Sequence, residues 1–206
     1  MSFIDYLLLC GALAPLWMLA GVYVAGRLYP GYNHRRQAMS ELGARDRPTT
    51  RIHPFINNYP IGLLFSAFGI GVMLVSRDAT LQYIGGIVLL VHGLSHIATG
   101  LFPLDADLGA GGRLSSAHKV HGVAGLVMYF ALWIACVLWI FIDPPPGAGF
   151  RIYSLVSAAA SVASLGYMVR SLRSGRDLGL HQRISYGILA LWCAILALLL
   201  ADNFSH

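Results

Sequence analysis

Long apolar runs separated by short polar breaks dominate the pattern of this chain. Six segments approach or reach the roughly 17–25 residues that a helix needs to cross a bilayer. They are about 6–25, 60–75, 81–101, 118–142, 152–169 and 184–201. The second follows P-F-I-N-N-Y-P, whose two prolines fit a bent approach to the membrane. None shows the alternation of a transmembrane barrel strand. The pattern predicts an all-α polytopic membrane protein, with one domain over residues 1–206, six transmembrane helices in one bundle and no internal repeat.

The breaks between the helices are unequal. R-D-A-T, between the second and third helices, suits only a tight hairpin, and D-P-P-P-G is a rigid end to the fourth. The first connection, Leu28 to Asn58, is the longest. Within it Asn33 reads as the N-cap and Gly43 as the terminator of a short helix, with Met39 and Leu42 on its apolar edge. Such a helix is expected to lie at the membrane interface. Along the fifth helix Ser154, Ser157, Ser161 and Ser164 share one face, broadened by Ala158 and Ala160. That stripe predicts a helix–helix seam, with a polar substrate path as the alternative. The N-terminal M-S-F-I-D lacks the basic region of a signal peptide, so the first helix is expected to stay in the mature protein.

Composition agrees with the pattern and charge adds an orientation. The chain is 57% hydrophobic and 11% charged, where soluble domains carry roughly a quarter charged residues. Twelve of the fourteen Lys and Arg residues lie in or beside the first, third and fifth connections; Arg77 and Arg151 are the exceptions. The positive-inside rule then predicts that these connections are cytoplasmic and that both termini are outside. The net charge of +5 is thereby a topology signal and gives no reason to expect nucleic acid. Membrane lipids are the expected partners, with a homo-oligomer or a second membrane protein left open. Cys10, Cys136 and Cys193 fall inside predicted helices and read as small packing residues.

The candidate chemistry lies between His92 and His121. His92 and His96 share a face of the third helix, and His118 and His121 a face of the fourth. Asp105 and Asp107 lie between the pairs. Ionisable residues in membrane helices are costly and mark functional candidates. The four imidazoles suit zinc or another first-row metal. With an open ligand position, such an ion would activate water for hydrolysis of a lipid or amphipathic substrate. Asp105 or Glu41 would accept the proton, and Arg35, Arg36, Arg183 and Gln182 would hold the head group. A b-type haem is a lesser expectation, because packed helices are only ~8–10 Å apart. The competing readings have no catalysis. They are hydrogen-bonded histidines without a cofactor, a salt bridge for Glu41, a small transporter, or an accessory subunit of a membrane complex.

The connections also carry a resemblance. S-E-L-G-A at Ser40–Ala44, F-P-L-D at Phe102–Asp105, H-G at His121–Gly122 and G-L-H-Q-R at Gly179–Arg183 occur in this order on six helices. Together they resemble the prokaryotic six-helix membrane-protein family catalogued as domain of unknown function 998. The resemblance spans nearly the whole chain. It implies a six-helix fold in a prokaryotic cytoplasmic (inner) membrane, with the shared residues gathered at one face, and it implies no activity. A weaker likeness, of chemistry alone, is to the alkaline ceramidases and adiponectin-type receptors, which hold zinc with three histidines on a seven-helix fold.

Overall fold

The computed structural model describes residues 1–76, 79–106, 113–143, 146–174 and 176–204. Six long helices make up most of it: α1 (Phe3–Leu28), α2 (Tyr59–Val75), α3 (Thr80–Leu101), α4 (Ser116–Leu138), α5 (Phe150–Ser174) and α6 (Leu178–Phe204). All six, α2 together with the turn before it, are long and apolar enough to cross a membrane. Asp107 and Arg77 lie outside the described residues.

Most helices run a few residues beyond their apolar runs, since polar residues remain helical at the interface. The fourth differs. It begins at Ser116, where the Ser115 side chain takes the His118 N–H, and ends at Leu138, not Ile142. The Ile142 carbonyl accepts the Arg151 guanidinium (Nη2–O 3.0 Å), which anchors the turn leading to α5.

The approach to α2 runs through a π-helical turn at Pro54–Asn58, in the stretch that carries the two prolines. Pro60 has no N–H, so the Ile56 carbonyl four residues earlier lacks its usual helical donor. The Trp17 indole of α1 takes that place (Nε1–O 3.0 Å). The carbonyl freed by the proline is thus satisfied from a neighbouring helix.

The helices pack in chain order, α1 on α2, α2 on α3, α3 on α4 and α5 on α6, and α6 closes the bundle against α1. The tightest seam joins α2 and α3. A Cβ at Gly62 would lie 2.8 Å from the Gly93 carbonyl, and one at Gly86 2.8 Å from the Gly69 carbonyl. Only glycine lets the two backbones approach so closely. The serine stripe of α5 is buried and forms the expected seam. Tyr129 Oη donates to the Ser161 carbonyl (3.0 Å), Trp133 Nε1 to the Ala158 carbonyl (3.2 Å) and Trp192 Nε1 to Ser154 Oγ (2.9 Å).

The first connection corrects one expectation. The short helix from Asn33 to Gly43 does not form; a 3₁₀ turn at Met39–Gly43 takes its place. The Asn33 side chain caps one turn, accepting the N–H groups of Arg35 (3.0 Å) and Arg36 (3.2 Å). Carbonyls that a helix would use internally are taken by tertiary partners instead. Arg183 reaches those of His34 and Gln37, and the Tyr32 hydroxyl that of Ala38. The apolar edge persists, with Leu42 fully buried and Met39 packed on the core.

Candidate functional site

The first, third and fifth connections meet at one end of the bundle, termed here the basic end. The first connection is docked there on the start of α6. Arg183 Nη1 donates to the carbonyls of His34, Gln37 (3.0 Å) and Gly179 (2.9 Å), and Nη2 to the Tyr32 hydroxyl (2.7 Å). Gln182 Oε1 accepts the Met39 N–H (2.7 Å). Arg35 pairs with Asp177 (2.6 Å). The Arg35 guanidinium, chiefly through this hydrogen bond, holds the Asp177 carboxyl below the usual carboxylate range. Arg36 is exposed, and its carbonyl faces the Gly179 N–H. Among the described residues Glu41 forms no salt bridge with an arginine. Its carboxylate accepts the Ala38 N–H (2.8 Å) and the Gln37 amide (3.1 Å), closing the turn at Met39–Gly43.

Asp105 stands on the neighbouring connection and is bound to the start of α4. It accepts the Ser115 N–H and hydroxyl, both at 2.8 Å, and these hold its carboxyl below the usual range. His118 Nδ1 accepts the Asp105 N–H (3.1 Å). The Arg45 N–H donates to the Leu104 carbonyl (2.7 Å), so the first and third connections are also tied together.

The four histidines divide between two places. His118 and His121 stay at the basic end, where His121 Nδ1 faces the carbonyls of Phe102 (2.8 Å) and Thr99 (3.1 Å). His92 and His96 lie deeper, fully or nearly fully buried. At ~1.5 Å per residue, His96 is about 8 Å and His92 about 14 Å from the basic end of α3. Both converge on one partner from across the bundle. The Tyr186 hydroxyl of α6 is 2.8 Å from His92 Nε2 and 2.8 Å from His96 Nε2, and His92 Nδ1 is 2.7 Å from the Met128 carbonyl of α4. Phe65 of α2 stacks on His96 and meets His92 edge-on. Among the described residues, no group of three or more His, Cys, Asp or Glu side chains is arranged around a common ion position.

The hydrogen-bond chemistry of this centre is directional. A carbonyl only accepts, so His92 Nδ1 carries a proton and, in the neutral ring, Nε2 is an acceptor. Tyr186 must then donate to His92, which leaves its oxygen to accept Nε2–H from His96. The result is an ordered series of donors, His96 to Tyr186 to His92 to Met128.

Polar groups continue from His96 to the basic end. Asn58 Nδ2 donates to Thr99 Oγ1 (3.0 Å), which donates to the His96 carbonyl (2.8 Å), while the Thr99 carbonyl faces His121. Three buried atoms on the π-helical turn and beside it lack a protein partner among the described residues: His53 Nε2, Asn57 Oδ1 and Asn58 Oδ1. Tyr186, Met128, Thr99, Asn58 and His53 carry no motif that marks them in the sequence. The available signal was a tyrosine and two asparagines set within or against apolar runs, but only the bundle brings them to the histidines.

His53 yields a pH prediction. Burial, then the charge of nearby His121, pushes its pKa from 6.5 down to about 4. As pH falls from 6.5 towards 4, the unfolded chain gains a proton that the native ring does not. Native stability is therefore lost across that window, by on the order of 3 kcal/mol for this group. His53→Gln should visibly shrink the loss of thermal stability between pH 7.5 and pH 5 in detergent solution. An unchanged loss would show that His53 does not contribute to it.

A family model described as a protein of unknown function (DUF998) matches residues 12–199. No curated protein and no solved structure matches the chain.

Proposed function

The chain belongs to the DUF998 family of proteins of unknown function, and from that premise we propose that it is a small proton-coupled membrane carrier. Its protonatable centre is His92–Tyr186–His96. The observation that carries this reading is the Tyr186 hydroxyl held at 2.8 Å by both imidazoles. Once a proton has entered at His96 and made it an imidazolium, its Nε2 proton passes to the Tyr186 oxygen as the Tyr186 hydroxyl proton passes to His92 Nε2, which leaves His96 neutral and His92 the imidazolium without moving a helix. Thr99, Asn58 and His121 lead from the centre to the basic end, and the unpartnered atoms of His53, Asn57 and Asn58 call for water along that route. On the other side Phe68, Leu89, Trp139 and Trp192 are fully buried and close the path. Polar groups thus continue from the centre towards the basic end and large apolar side chains towards the other, which supports a proton half-channel.

The residues first considered for hydrolysis support a different role. Glu41, Asp105, Arg35, Arg183 and Gln182 all hold the first connection or cap α4. In this reading they form the lid of the half-channel. The basic end faces the cytoplasm and both termini face outward, following the distribution of Arg and Lys. In a background without native cysteines, a cysteine at Arg47 resists an impermeant thiol reagent in intact cells and one at Gly147 reacts.

The test is nitrogen NMR of histidine-labelled protein in bilayers. His92 and His96 should change protonation or tautomer together between pH 8 and pH 5, and Tyr186→Phe should uncouple them. Rings that keep one neutral tautomer throughout, in both proteins, would reduce the centre to a structural clasp. A second reading has one observation in its favour. Two Nε2 atoms converge on a shared oxygen, and the other nitrogen of His92 is fixed by a carbonyl, as in many metal-binding imidazoles. In that reading His92, His96 and Tyr186 hold a first-row metal ion, which elemental analysis of purified protein would find in stoichiometric amount.

A further inference from the structure

The end of the bundle opposite the basic end contains a half-open cavity of about 360 Å³. It lies where α2, α4 and α6 finish and α3 begins. Ile142, Leu200 and Phe204 give it apolar walls, and Gln82, Asn203 and Trp139 give it polar ones. This volume is within the range of small-molecule sites, ≈ 300–1,000 Å³.

Trp139 is fully buried, yet among the described residues its indole N–H has no hydrogen-bond partner. Buried donors are seldom left unpaired, because losing water without a replacement is costly. The ring is held in place rather than adaptable. Gly85 of α3 leaves it room, since a Cβ there would sit 2.4 Å from Trp139 Cζ3, and Trp192 meets it edge-on with centroids 6.0 Å apart. Asn203 Nδ2 donates to the Pro146 carbonyl (2.7 Å), which leaves Asn203 Oδ1 as an acceptor. Among the described residues, none of the side chains lining the cavity carries a charge. The ends of α2, α4 and α6 bring negative dipole ends to it and the start of α3 a positive one, so no single charge is called for.

We propose that this cavity binds an uncharged amphiphile headed by a hydroxyl group. The hydroxyl oxygen accepts the Trp139 N–H and its proton goes to Asn203 Oδ1, while the chain lies along Ile142, Leu200 and Phe204. The site is independent of the histidine–tyrosine centre and stands whether or not that centre relays protons.

The test uses the full chain in nanodiscs, titrated with 1-dodecanol, dodecanoate or dodecane, with the unfolding temperature as readout. Dodecanol should raise it saturably by a few degrees, and the other two should not. Asn203→Leu and Trp139→Phe should each weaken the apparent affinity for dodecanol about tenfold. Asn203→Leu keeps the test decisive if Trp139→Phe folds poorly. A dodecane or dodecanoate effect equal to that of dodecanol, no saturable effect of dodecanol, or wild-type affinity in every variant that folds would overturn the proposal.

Discussion

Arg183→Gln is expected to free the first connection from α6 and to cost on the order of 3–5 kcal/mol of stability. The wild-type guanidinium serves the carbonyls of His34, Gln37 and Gly179 and the Tyr32 hydroxyl, and lies 5.8 Å from the centre of the Tyr32 ring. A neutral amide has two N–H groups and a shorter stem, so several acceptors are stranded at about 1–3 kcal/mol each where water does not reach them. Lysine keeps the charge but not the fork, and Arg183→Lys should fall between. In a chain of this length the loss corresponds to roughly 10 °C in unfolding temperature. Limited proteolysis should also find new cleavage between Leu28 and Asn58. Arg35→Gln is the contrasting case. The Arg35 side chain is 68% exposed, and surface pairs of this kind contribute at most about 1 kcal/mol. If both variants unfold at the wild-type temperature with the connection protected, the docking described here contributes little.

Tyr186→Phe should cost about 2–3 kcal/mol while changing the shape of the interior very little. One hydroxyl serves both His92 and His96, so its removal leaves two buried imidazole nitrogens without a partner. The coupling makes the effect diagnostic. With His96→Leu already in place, removing the hydroxyl strands only His92, and the double variant should be more stable than the sum of the single ones predicts. A double-mutant cycle would measure this difference. Additivity within about 0.5 kcal/mol would mean that the hydrogen bonds to Tyr186 do not act as a unit.

Six membrane-spanning helices were legible in the sequence because each apolar run is long enough, by itself, to require a helix in lipid. The serine seam was equally legible, since four serines on one helical face identify that face without reference to a partner. So was an irregular turn before α2, because proline removes a donor wherever it occurs. The first connection was only half legible. Met39 and Leu42 disclosed its apolar edge, but its conformation depends on Arg183, about 145 residues further along the chain. A local capping rule favoured a helix there, and a distant guanidinium claimed the carbonyls first.

The histidines show the same division. Their spacing was enough to place His92 and His96 on one helix face and to suggest a polar centre. It could not say what they face, because helix rotation and neighbour choice are set by packing across the whole bundle. Glycines 62, 69, 86 and 93 set the close approach of α2 and α3, and α6 closes against α1. Those contacts turn Tyr186 towards the first pair and leave His118 and His121 with backbone partners at the basic end. Local periodicity decided which residues could share a face, and the tertiary structure decided which faces met, since a membrane helix satisfies its own backbone but takes its side-chain partners from its neighbours.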